Sequence, residues 1–124
     1  MYRNEAEVGR GIAASGVPRQ EIFLTSKLWN NNHRAERVEK ALDKTLSDLG
    51  VEYLDLYLIH WPCAFKAGDE SFPRDEETGV VLLDREVRIQ ETWRALEEVV
   101  RKGKVRSIGV SNFTKEGIEE ILSL

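Results

Sequence analysis

Leu54-Asp55-Leu56-Tyr57-Leu58-Ile59-His60 decides the fold. The run is nearly continuous in apolar residues, shorter than an ordinary helix, and broken by Pro62. A strand buried on both faces reads this way, and such strands belong to parallel sheets covered by helices. The run also ends on a chemically useful side chain, His60.

Upstream of this strand, Ala35 to about Leu49 carries Val38, Leu42, Leu46 and Leu49 on one side, with Gly50 as its stop. That spacing predicts an amphipathic helix. Asn30-Asn31-Asn32 reads as a loop, and Ile22-Phe23-Leu24-Thr25-Ser26-Lys27 as another strand. A first helix starts at Asn4, with Glu7 at the capping-box distance and Val8 and Ile12 on one face; Gly16 and Pro18 end it. Downstream lies a long connection from Cys63 to about Glu86, acidic from Asp69 to Glu77 and containing Pro73 and Gly79. Connections of that length are uncommon and often functional. A third helix carries Ile89, Trp93, Leu96 and Val100 and closes at Gly103. Ser107-Ile108-Gly109-Val110 is a third short strand, and Thr114 caps a last helix bearing Ile118, Ile121 and Leu122. Strict alternation of helix and strand implies right-handed crossovers and a parallel sheet, either an open doubly wound sheet or a closed barrel.

Composition narrows the function classes. Charged residues make up 32% and apolar residues 41%, a globular balance rather than a disordered or membrane one. The net charge of −4, of mixed sign, argues against a nucleic-acid surface. No apolar run approaches a membrane span. Cys63 is the single cysteine, so no internal disulfide forms, and the first residues lack a signal core. A cytoplasmic location is expected. No P-loop, zinc spacing or nucleophile elbow is present, and no metal is expected. Gly9-Arg10-Gly11-Ile12-Ala13-Ala14 fits a loose dinucleotide pattern, but it falls inside a helix already begun at Asn4 rather than after a strand. Both glycines are read as close-packing positions.

The polar residues with chemical potential fall where strands end. Lys27 closes the first, His60 the second, and Ser111 and Asn112 follow the third; Tyr2 precedes the first helix, where an earlier strand would end. Ligands of parallel α/β proteins bind at the carboxyl ends of strands. Singly, each residue has an ordinary structural explanation: a solvated lysine, a satisfied histidine, a turn before a helix. Together they describe one rim. His33, in a polar stretch, is expected to be solvated, as is the acidic run.

Four segments then resemble the aldo-keto reductase family, in order and across nearly the whole chain. They are Tyr2-Arg3-Asn4-Glu5-Ala6-Glu7-Val8-Gly9, Thr25-Ser26-Lys27-Leu28-Trp29, Asp55-Leu56-Tyr57-Leu58-Ile59-His60-Trp61-Pro62 and Lys104-Val105-Arg106-Ser107-Ile108-Gly109-Val110-Ser111-Asn112-Phe113. The similarity continues around Phe65-Lys66, Phe72-Pro73 and Thr92-Trp93. The resemblance implies part of a (β/α)8 TIM barrel, roughly strands 3 to 5 with their helices, and one domain over residues 1–124, incomplete at both ends.

It also implies a reaction, the reduction of a small aldehyde or ketone with NADPH, NADH not being excluded. Tyr2 is the proton donor, Lys27 the cation that makes its phenol a better acid, and His60 the group that orients the carbonyl. Ser111 and Asn112 would hold the nicotinamide carboxamide. Trp61 and Trp29 would line an apolar substrate pocket, with core packing as the competing explanation; Trp93 packs a helix on the sheet. The aspartate that the family places before the tyrosine, and the segment that grips the adenosine phosphate, fall outside these residues. The chain alone is therefore expected to show little activity. The competing reading is a non-catalytic binding or regulatory module. Oligomeric state is left open.

Overall fold

The computed structural model describes residues 4–123. Four helices alternate with three strands: α1 (Glu5–Ser15), β1 (Thr25–Leu28), α2 (Ala35–Leu49), β2 (Leu54–Ile59), α3 (Ile89–Arg101), β3 (Val105–Val110) and α4 (Lys115–Leu122). The sheet has the order β1-β2-β3 and every pairing is parallel. Lys27 stands opposite Leu58, and Leu58 opposite Gly109.

One face of the sheet packs on the helices. Leu28, Tyr57 and Ile59 meet Val38, Leu42 and Leu46 of α2 and Leu96 and Val99 of α3 in a single core. Burying each such side chain contributes roughly 1.5–3 kcal/mol, which makes this face the main source of cohesion. The other face carries Thr25, Lys27, Leu56, Leu58, Ser107 and Gly109, all exposed or half-buried. Their shared side follows from the register and from Gly109, where an added Cβ would lie 2.8 Å from Leu58 Cδ2 and 4.0 Å from Leu56 Cδ1. In a closed barrel this second face is the interior.

α2 spans the residues its pattern predicts. Its buried positions are Val38, Leu42, Thr45, Leu46 and Leu49, and Gly50 ends it in the left-handed conformation at φ 69°. The other elements depart in detail. β1 begins at Thr25, not Ile22, because Arg19–Glu21 forms a 3-10 turn and Phe23 projects into solvent at 71% exposure. Val99 rather than Val100 is the fully buried valine of α3, and β3 starts earlier, at Val105.

In α1, Asn4 occupies the cap position without making a side-chain cap bond. Val8 is 41% exposed, and Gly9 is the buried residue. A Cβ at Gly9 would fall 2.7 Å from the Asp48 and Leu49 carbonyl oxygens, so α1 crosses the end of α2 at backbone contact. Gly11 has open space around it, so the close-packing expectation holds for Gly9 and not for Gly11. Both glycines lie within α1, which removes the open-sheet dinucleotide alternative.

His33 is a correction. It is 2% exposed rather than solvated. Thr92 of α3 donates its hydroxyl to the His33 carbonyl at 2.7 Å, and Arg34 grips Asp84 through two bonds of 2.6 and 3.0 Å. The end of the long connection thus closes over the residue. Burial lowers the imidazole pKa to about 4, with the Asp84 charge opposing.

Ion pairs fasten the ends. Glu39 of α2 takes Lys102 and Lys104 at 2.7 and 2.6 Å, and its carboxyl is lowered to about 2, chiefly by the Lys102 hydrogen bond. At the same, amino-terminal end of the sheet Arg19 bonds Asp55 at 3.0 Å and stacks over Tyr53. Among the described residues no helix is long and apolar enough to cross a membrane.

Candidate active site

The hydrogen-bond ladder runs past the strand ends. His60 N–H donates to the Leu28 carbonyl at 3.1 Å, and Ser111 N–H to the Ile59 carbonyl at 2.9 Å. Trp29, His60 and Ser111 therefore stand side by side at the carboxyl ends of β1, β2 and β3. By the alternation of a strand they continue the open face that carries Lys27, Leu58 and Gly109. A lysine, an imidazole and a hydroxyl, remote in sequence, share one rim.

His60 is 6% exposed. Burial, and then the charge of Lys27, hold its pKa below the ordinary histidine value. Both effects disfavour the imidazolium, so His60 is a neutral hydrogen-bonding group at neutral pH. The register puts Lys27 opposite Leu58, two residues before His60 on the neighbouring strand.

Asn112 is the one non-glycine residue with positive φ among the described residues, at 60°. The conformation costs on the order of 1 kcal/mol. Its side-chain amide nitrogen donates to the His60 carbonyl at 3.0 Å and to Ser111 Oγ at 3.1 Å. Asn112 thus ties the end of β3 to the end of β2, a role its sequence position did not disclose.

The aromatic residues divide. Trp29 is 9% exposed, and its indole N–H donates to the Ser71 carbonyl at 2.6 Å. Its ring meets His60 edge-on at 5.1 Å, Phe65 at 5.8 Å and Phe72 at 5.3 Å. It holds the long connection against the rim. Trp61 stacks on His60 at 6.0 Å with 42% of its surface open, and is the better placed of the two tryptophans to touch a ligand. Cys63 is exposed.

The long connection is built rather than loose. Phe65 pairs with Leu83 and Arg74 with Val81, which folds the segment into a hairpin. Phe65 N–H donates to the Asn30 carbonyl, and the Asn31 amide donates to the Gly68 and Glu70 carbonyls at 2.8 and 3.0 Å. Asn30 and Asn31 are accordingly buried in a 3-10 turn, Asn30–Asn32. A run of three asparagines signals a loop, and the segment that buries them cannot be read from their own sequence.

Tyr2 lies outside the described residues. Of the three groups assigned to the reaction, the structure brings Lys27 and His60 together and says nothing of Tyr2. The acidic run is largely exposed, with Asp69 and Glu76 and Glu77 in solvent.

A parallel sheet with helices packed on one face and polar groups at its carboxyl rim is the build of an α/β-barrel segment. Comparison with known proteins gives the same class and narrows it. The model of the aldo/keto reductase family matches residues 1–124, and the chain belongs to that family. It is 52% identical to an uncharacterized oxidoreductase of Schizosaccharomyces pombe, over all of this chain and 38% of that protein. It is 51% identical to a D/L-glyceraldehyde reductase of Hypocrea jecorina, over 98% of this chain and 38% of that one. The aldose reductase structure of Schistosoma japonicum superposes with a TM-score of 0.93 at 47% identity, covering 98% of this chain and 41% of that one. The chain thus spans about two-fifths of the length of the relatives it matches, and its three strands are part of a TIM barrel.

Proposed function

We propose that the whole barrel to which this chain contributes reduces the carbonyl group of a small aldehyde or ketone to an alcohol with NADPH or NADH. The observation that carries the reading is the placement of Lys27 and His60, from neighbouring parallel strands, at one carboxyl rim.

A bound nicotinamide supplies hydride to the carbonyl carbon. The residues do the rest. Tyr2 gives its phenolic proton to the carbonyl oxygen as negative charge grows there, and recovers a proton from solvent afterwards. An ordinary phenol is a poor acid at neutral pH, with a pKa near ~10, and the Lys27 ammonium favours its ionised form. Neutral His60 directs the carbonyl by a hydrogen bond rather than by charge. Ser111 and Asn112, a hydroxyl beside an amide, suit the donor and acceptor of a carboxamide, which supports their role at the cofactor. Trp61 offers the substrate an apolar wall; Trp29 acts mainly by backing that wall.

In the full-length protein, Tyr2→Phe lowers turnover by about 10²-fold or more and leaves cofactor affinity nearly unchanged, measured by NADPH fluorescence quenching beside an aldehyde-dependent assay. A Phe variant that stays active overturns the acid assignment. The 124-residue chain by itself shows little turnover, since its sheet leaves the interior face uncovered; family-like rates from it would contradict this.

A further inference from the structure

Glu5 lies three residues after Tyr2, in the first turn of α1, and is only half-buried, yet its carboxylate is fully committed. Ser26 Oγ donates to Glu5 Oε2 at 2.5 Å, and Thr45 Oγ1 donates to Oε1 at 3.0 Å. Ser26 belongs to β1 and is the immediate neighbour of Lys27; Thr45 is a buried residue of α2. Short bonds from hydroxyls to an ionised carboxylate are among the stronger ones available to side chains. Among the described residues, the hydrogen bonds between a side chain of α1 and a side chain of another element are both made by Glu5.

We propose that Glu5 is a positioning residue: it fastens the segment that follows Tyr2 to the strand that carries Lys27, and so sets the distance between phenol and ammonium. This rests on the functional reading given above. The placement supports it on two counts. First, α1 is held elsewhere by Gly9 against the end of α2, so loss of Glu5 frees the first turn while the helix stays docked. Second, the tie reaches β1 at the residue next to Lys27 and not at some remote point. The other groups around the carboxylate are Tyr57, fully buried, whose phenol is pushed up by burial and then by the Glu5 charge, and Lys44, whose ammonium is favoured by Asp48 and to a lesser degree by Glu5. Tyr57 is therefore sealed off as a proton donor, and Glu5 acts on it without recruiting it.

The test uses the full-length protein. Glu5→Ala lowers kcat by about 10- to 100-fold, the scale of a misplacement near 1 Å, and leaves the cofactor Kd within about twofold. The phenol, less influenced by Lys27, loses its proton at higher pH, so the alkaline limb of the pH profile for carbonyl reduction moves up by about one unit. Glu5→Gln, which keeps the size and one acceptor oxygen, falls between. Ser26→Ala moves the limb in the same direction, and combined with Glu5→Ala it adds little, as expected of two partners in one bond. A folded Glu5→Ala enzyme with wild-type kcat and pH profile overturns the proposal. If Glu5→Ala does not fold, an unshifted limb in Ser26→Ala overturns it instead. An active Tyr2→Phe enzyme sinks the functional reading and this inference with it. An inactive Tyr2→Phe beside an unaltered Glu5→Ala sinks this inference alone.

Discussion

The two faces of the sheet are made from alternate residues of the same strands and are held by different physics. Leu28, Tyr57 and Ile59 point into helices and are at most 1% exposed. Lys27, Leu58 and Gly109 point the other way and remain half-open. The first face is fixed by packing, where every methylene has neighbours. The second is fixed only by the register that the first imposes. The site proposed on the second face would thus inherit its geometry from side chains that never touch it.

The largest effect should come from truncation across that divide. Ile59→Ala costs the 124-residue chain about 2–5 kcal/mol, whereas Leu58→Ala costs under about 1 kcal/mol, read by urea unfolding. In the full-length protein the Leu58 value rises toward the Ile59 value, because other strands close over the open face. Equal costs in the short chain would mean that the faces are not distinct.

The two histidines carry the comparison into pH. His33 is sealed on the helix side and its native pKa is about 4, below the ordinary 6.5. Above pH 6.5 both folded and unfolded forms are neutral and nothing is lost. Below it the unfolded chain takes up the proton first, so stability falls progressively until native His33 titrates near 4. The loss is on the order of 3 kcal/mol. His33→Gln flattens the decline between pH 7 and 4.5 in urea midpoints (approximate test limits). An unflattened slope would place the acid sensitivity elsewhere, for instance at Asp84, whose carboxyl is held low chiefly by its bond from Arg34.

The glycines give the finest contrast. Gly9→Ala pushes a methyl against two backbone carbonyls and costs about 1–3 kcal/mol. Gly109→Ala meets the end of the Leu58 side chain rather than backbone and costs under about 1 kcal/mol, by thermal unfolding. A reversed order would show that α1 yields more easily than the open face.

How far the sequence announced this arrangement depends on how local the cause was. α2 was legible to the residue because its apolar stripe and Gly50 lie within the segment itself. The helix-strand alternation and the rim of Lys27, His60 and Ser111 were legible for the same reason: chain order and strand ends suffice. The pattern starts β1 three residues early because Ile22 and Phe23 look like strand residues, yet Arg19 leaves its turn to reach Tyr53 and Asp55, more than thirty positions away. The burial of His33 is invisible in its own polar stretch because its neighbours there are remote: Asp84 from the far end of the long connection and Thr92 from α3. Nothing in the sequence marks Glu5, since a first helical turn often carries a glutamate. Its partners Ser26 and Thr45 become visible only when the chain is folded.

The hairpin of the long connection is stitched down at its base, through Trp29, Asn31 and Phe65, while its tip around Asp75 to Gly79 is exposed and bonded mostly to itself. Residues added or removed at that tip leave the stitches in place. A lineage can therefore vary the length of this one turn while Trp29 and the rim residue His60 that it touches stay where they are.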